Sequence, residues 1–187
     1  MFNRTSISGF QRLAVGLVLA SALFARPAAA ASAQITTLVI VRHAEKATDD
    51  PRDPTLSPAG QERAQDLAKA LDGAAVSAVY VTEFKRTRLT AEPTAQHFAL
   101  TIETRPRGDQ QPDVYATDQV GKILKKNAGK VVLIVGHSDT VPAMVKVLTG
   151  KTVPPIEETE FDRLYVVEVP KTGPARLIAT RYGRPRP

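Results

Sequence analysis

Three short stretches of this 187-residue chain carry side chains able to act on an anion. The first is Val39-Ile40-Val41-Arg42-His43-Ala44-Glu45-Lys46, where an apolar run ends abruptly in an arginine and a histidine. The second holds Arg86 and Arg88, shortly after another apolar run, and the third is Gly136-His137-Ser138. A guanidinium is a planar fork that suits phosphate, and an imidazole serves as nucleophile or as acid and base. Taken singly, an Arg-His pair is more often a solvated strand end than a site. Position unites the three stretches. Each follows a short segment of strand type, and parallel strands bring such residues to one end of a sheet, where α/β proteins bind ligands.

The elements that must position them follow from periodicity and punctuation. Leu38 to Val41 is β-branched and almost uniformly apolar, as expected of a strand buried on both faces. A polar, Pro-containing loop runs from Lys46 to Thr55. Ser57-Pro58 then opens a helix, with Ser57 as cap and Pro58 at the first helical position. Ala64, Leu67, Ala68 and Leu71 continue it at helical spacing. Strands are expected at Ala78 to Val81 and Leu100 to Thr104, with a helix from about Phe84 to Phe98 between them. Arg105 to Tyr115 contains Pro106, Gly108 and Pro112 and reads as irregular. A helix over Thr117 to Asn127, ended by Gly129, leads to a strong buried strand at Lys130 to Val135 and a helix to about Leu148. Thr149 to Glu160 reads as a polar loop, and Arg163 to Val169 and Ala175 to Arg181 as two final strands. This order predicts a three-layer α/β/α sandwich with a mostly parallel sheet and an antiparallel component at one edge.

The first 33 residues read as a leader and not as fold. Arg4 and Arg12 precede an apolar stretch, Leu13 to Phe24, that is too short to span a bilayer. Ala31-Ser32-Ala33 then offers a cleavage site, with Gln34 as the first mature residue. The reading is a signal peptide over 1–33, removed on export to the periplasm or outside a bacterial cell, and one catalytic domain over 34–187 with no stable membrane anchor. An uncleaved anchor is the alternative. There is no Cys, so disulfides, thiolate metal sites and a lipid-modified cysteine are excluded. Residues 1–33 contain three arginines and no acidic residue, so their removal takes the net charge from +6 to +3. That mild balance suits an anionic small substrate and is not the signature of a nucleic-acid binder. With no Trp and few aromatic residues, no stacking platform for single strands is evident.

The ordered set of motifs resembles the histidine phosphatase superfamily, also called the phosphoglycerate mutase-like family. Arg42-His43-Ala44 matches its Arg-His-Gly/Ala signature, and Leu56-Ser57-Pro58-Ala59-Gly60 with Arg63 and Ala64 resembles its helix start. Tyr80 to Ala91 is similar to its Ser-x-x-x-Arg-x-x-x-Thr-Ala segment, and Gly136-His137-Ser138 to its second histidine motif. The likeness covers nearly all of residues 36–182. It implies that His43 accepts the phosphoryl group while Arg42, Arg86 and His137 bind its oxygens, without metal or cofactor. Phosphoryl transfer asks for positioning and charge compensation, which two guanidiniums and an imidazole supply. A neutral His43 attacks only if its other ring nitrogen is held, and a backbone carbonyl in the following loop is the expected partner. Arg88, one helical turn from the expected ligand, reads as surface charge, and His97 as structural.

The proton donor is the open position. Relatives usually carry a carboxyl group after the third strand, but no such pattern stands out here among Glu103, Asp109, Asp113 and Asp118. Asp113 is the first choice, Glu83 and Asp139 flank motifs closely enough to compete, and a mechanism with no clear acid suits good leaving groups. The expected function is a phosphohydrolase acting on a small phosphorylated substrate, a phosphomonoester. A non-catalytic phosphate-binding relative, a phosphohistidine phosphatase and mutase-type transfer are the alternatives. A metal-dependent hydrolase fits poorly, since the chain has three histidines, one of them off-site, and nearby arginines that repel a cation.

Overall fold

Alternation within the strands determines how the layers assemble. Leu38 and Ile40, with Val132 and Ile134, belong to one cluster with Ile123 and Met144. Val39 and Val41, with Leu133 and Val135, belong to a second cluster with Leu67 and Ala91. All eight strand side chains are 3% exposed or less. Burial on both faces is why these strands read as uninterrupted apolar runs. Each such side chain contributes about 1.5–3 kcal/mol through its removal from water.

The computed structural model describes residues 34–184, so the expected leader over 1–33 lies outside the described residues. The elements are β1 (Ile35–Arg42), α1 (Pro58–Ala70), β2 (Val76–Val81), α2 (Lys85–His97), β3 (Ile102–Thr104), α3 (Pro112–Lys126), β4 (Val131–Gly136), α4 (Thr140–Thr149), β5 (Arg163–Pro170) and β6 (Arg176–Arg181). One sheet runs in the order β3-β2-β4-β1-β5-β6. β3, β2, β4 and β1 are parallel, whereas β5 and β6 join antiparallel. α1 and α2 cover one face and α3 and α4 the other, giving the expected three-layer sandwich. Among the described residues no helix is long and apolar enough to cross a membrane.

Two expectations need correction. The irregular segment after β3 ends earlier than expected, because α3 begins at Pro112. Proline breaks a helix interior but fits the first helical position, where its missing N–H would have no partner. The third strand is also shorter than expected. The Leu100 N–H still bonds to the Ala95 carbonyl and belongs to the end of α2, so pairing with β2 begins at Ile102.

The register delivers the three chemical stretches to one edge. Arg42 pairs with Gly136, and Val81 with Val135, so His43, Thr82 and His137 leave the sheet side by side. β5 is antiparallel to β1, with Leu164 opposite Val41. The segment preceding β5 therefore arrives at that same edge. Gly60, near the start of α1, packs on the loop after β1 so closely that a Cβ would stand 2.2 Å from the Glu45 carbonyl oxygen.

Candidate active site

His43 is 3% exposed, and its backbone N–H donates to the Gly136 carbonyl at 2.9 Å. Its Nδ1 lies 2.7 Å from the Ala44 carbonyl. A carbonyl only accepts, so Nδ1 carries the proton and the lone pair resides on Nε2. Burial pushes the imidazole down to about 2; the Ala44 carbonyl works in the other direction, and His137, Arg42 and Arg86 push it further down. The ring is therefore neutral and, at Nε2, nucleophilic.

The turn behind it is held from several sides. Ala44 is fully buried, and its N–H donates to Thr90 Oγ1, which in turn donates to the Arg86 carbonyl. Arg63 of α1 grips the Glu45 carboxylate through Nε and Nη2 at 2.9–3.0 Å. Ser57 caps α1 by accepting the Gly60 N–H, and its own N–H reaches the Glu45 carbonyl. The matched positions Gly60, Arg63 and Thr90 thus fix the residues that follow His43.

Arg42 is 2% exposed. Its Nη1 donates to the carbonyls of Glu157 (2.6 Å) and Glu160 (3.1 Å), and Nη2 meets Glu158 Oε2 at 3.1 Å. Its guanidinium lies 4.4 Å from the Phe161 ring centroid. Arg86, in the first turn of α2, stacks at 4.2 Å on Phe84 and stands 3.8 Å from Asp53. The Nε atoms of both arginines are buried without a protein partner. Burial lowers both arginines from their ordinary value, but with acidic neighbours each remains a cation.

His137 follows β4, and its backbone N–H donates to Thr140 Oγ1. Its Nε2 lies 2.9 Å from Thr82 Oγ1, which lies 3.1 Å from Thr87 Oγ1. Thr87 Oγ1 donates to the Phe84 carbonyl at 2.8 Å. Burial pushes His137 down to about 3, helped by Arg86, Arg107, Arg42 and Lys46. The two imidazoles are 5.4 Å apart, edge to face.

Arg42, His43, Lys46, Arg86, Arg107, His137, Ser138, Asp139 and Glu158 line a cavity of about 230 Å³. A larger one, of about 310 Å³ between α1 and α2, brings no histidine or arginine together. All four expected site residues thus meet in the first cavity. Arg88 is exposed and reaches Thr104 Oγ1, and His97 sits by Asp72 at the far end of α2. Among the described residues no group of three or more His, Cys, Asp or Glu could hold a metal.

The expected acids fare differently. Asp113, the first choice, is exposed in the first turn of α3 and does not line the cavity, because the helix starts at Pro112. Glu83 accepts the backbone N–H groups of Arg107 and Gly108, both at 2.9 Å. Asp139 does line the cavity, capping the Thr140 N–H and pairing with Arg107 at 2.9 Å. Glu158 and Arg107 are cavity residues that the motifs did not identify. Glu158 arrives through the antiparallel placement of β5, and Arg107 through a loop fastened by Glu83.

The neutral histidines make stability depend on pH. Each has a folded value far below the 6.5 of an ordinary imidazole, so the unfolded chain binds more protons as pH falls below about 6.5. Their contribution is intact above that value and is lost on acidification toward about 3 for His137 and about 2 for His43. Denaturant unfolding between pH 7 and 4 should show stability falling by up to about 1.4 kcal/mol per unit per histidine. The slope should be shallower in His137→Asn. An unchanged slope would contradict burial of a neutral His137.

The fold has known counterparts. The family model described as histidine phosphatase superfamily (branch 1) matches residues 38–108. The solved protein histidine phosphatase SixA, complexed with tungstate, is 20% identical, with 78% of this chain and 96% of that one covered at a TM-score of 0.63. A mycobacterial glucosyl-3-phosphoglycerate phosphatase is 13% identical, covering 76% and 97%, also at 0.63. A phosphoserine phosphatase from Entamoeba histolytica, in complex with 3-phosphoglyceric acid, is 14% identical, covering 81% and 98%, at 0.59. At such identities the likeness is one of fold. No curated protein sequence matches the chain. Over residues 38–108 the chain is thus similar to the histidine phosphatase superfamily, and its fold is that of these phosphatases.

Proposed function

We propose that the chain is a phosphohydrolase that removes the phosphoryl group from a phosphomonoester through a phosphohistidine at His43. One observation carries the reading. The Ala44 carbonyl holds the His43 proton on Nδ1, leaving the Nε2 lone pair in a cavity that also holds Arg42, Arg86 and His137. The orphaned Nε atoms of Arg42 and Arg86 are donors that phosphoryl oxygens would satisfy.

In this mechanism Nε2 attacks phosphorus and the ester oxygen leaves. Water then attacks the phosphohistidine, the P–N bond breaks, and the lone pair returns to Nε2. Arg42 and Arg86 stabilise the charge on the equatorial oxygens, which is where most of the catalytic advantage of such sites arises. No metal takes part: the cations of Arg42, Arg86, Arg107 and Lys46 already line the cavity and disfavour another.

A panel of phosphomonoesters tests this, with His43→Ala as control. Hydrolysis should be abolished in His43→Ala and unaffected by chelators. Arg42→Ala and Arg86→Ala should each lower kcat about 10²–10³-fold, roughly 2.7–4 kcal/mol of barrier. Arg88→Ala should change it much less. Equal losses for Arg86 and Arg88, or activity persisting in His43→Ala, would contradict the assignment.

The reading includes export, supported by the basic start, the apolar stretch and Ala31-Ser32-Ala33. Such a location restricts the substrate to phosphorylated molecules outside the cytoplasm. N-terminal sequencing of the cell-derived protein should begin at Gln34 in the periplasmic or secreted fraction. Intact Met1 on cytosolic protein would contradict it.

A further inference from the structure

The cavity is lined by two carboxylates, Asp139 and Glu158. They are not equivalent. Asp139 has both oxygens committed: Oδ1 accepts the Thr140 N–H at 2.7 Å, and Oδ2 pairs with Arg107 at 2.9 Å. Neither partner is one that the proposed mechanism gives to the phosphoryl group. Glu158 is 76% exposed, at the mouth, and its Oε2 pairs with Nη2 of Arg42. Arg42 is one of the two guanidiniums that the proposed mechanism gives to the phosphoryl group, and its Nε is buried without a protein partner. The Glu158 carboxylate therefore competes for the cation that a phosphoryl group would take.

Resting on the phosphohydrolase reading, we infer that Glu158 is the residue that protonates the leaving oxygen. When the phosphoryl group docks on Arg42, Glu158 loses its cation and faces an anion, and two anions share a site most readily with a proton between them. Glu158 takes that proton from solvent. As the bond from His43 Nε2 to phosphorus forms and the ester P–O bond breaks, the proton passes to the departing oxygen. The carboxylate left behind accepts a proton from the water that attacks the phosphohistidine. The P–N bond breaks, and histidine and glutamic acid are both restored.

The surroundings make this separable from support of Arg42. Two backbone carbonyls, of Glu157 and Glu160, hold Nη1 whatever side chain stands at 158. The Glu160 carboxylate is itself tied to Arg163 and Arg181, which anchors the segment ahead of β5. Glu158→Gln should therefore leave the fold and the Arg42 clamp in place.

Steady-state rates on two esters test the inference: p-nitrophenyl phosphate, whose leaving group needs no proton, and glycerol phosphate, whose alkoxide does. Glu158→Gln should lower kcat on the alkyl ester about 10²-fold or more and change the aryl ester little. Equal changes on both would mean a structural or gating role and overturn the inference. A selective loss of the alkyl ester in Asp139→Asn instead would also overturn it, by moving the donor. If His43-dependent turnover persists with unaltered leaving-group dependence in Glu158→Gln, only this inference fails. If neither ester is hydrolysed in a His43-dependent way, the phosphohydrolase reading fails as well.

Discussion

The hydrogen bond from His43 Nδ1 to the carbonyl of Ala44 is the interaction on which the rest of the site depends. It decides which ring nitrogen carries the proton and which is free to react. A carbonyl on the adjacent residue can play that part only if the turn after β1 keeps one conformation. Much of the surrounding structure serves that end. Gly60 lets α1 touch the Glu45 backbone, Arg63 clasps the Glu45 carboxylate, and Thr90 receives the Ala44 N–H. Removing one partner of such a partly buried ion pair leaves an uncompensated charge and is costly, typically about 3–5 kcal/mol. The loop's rigidity is thus tied to the stability of the fold.

Charge is the second constraint. Two buried histidines are kept neutral mainly by desolvation, with the nearby cations adding to the effect. The cations themselves are tolerated because each has an acidic neighbour: Glu158 for Arg42, Asp53 for Arg86 and Asp139 for Arg107. The result is a small polar cavity held ready for an anion, with aromatic rings of Phe84 and Phe161 behind the two guanidiniums. Preorganised donors of this kind need not reorient when charge develops on phosphoryl oxygens.

Much of this is legible in the sequence. Leu38 to Val41 and Lys130 to Val135 are apolar without alternation because both sheet faces are covered, and that pattern identifies buried parallel strands directly. Ser57-Pro58 marked the start of α1 through cap chemistry that needs only local sequence. The same pattern puts His43 and His137 directly after strands and Arg86 at the start of the helix that follows β2. What escaped it depends on contacts between distant parts of the chain. Glu158 and Phe161 meet Arg42 only because β5 pairs antiparallel with β1, a choice that no local pattern records. Arg107 reaches the cavity through a loop whose backbone is held by Glu83. Pro112 reads as a breaker in sequence but begins α3, which carries Asp113 onto an exposed helical turn outside the cavity.

The most direct measurement of the central claim is a rapid-quench experiment with a phosphomonoester labelled in the phosphoryl group, followed by peptide mapping. The account predicts label on the peptide containing His43, lost in acid, retained in alkali, and absent from His43→Ala. Label that survives acid on a serine or threonine, or full turnover without any label on His43, would contradict it.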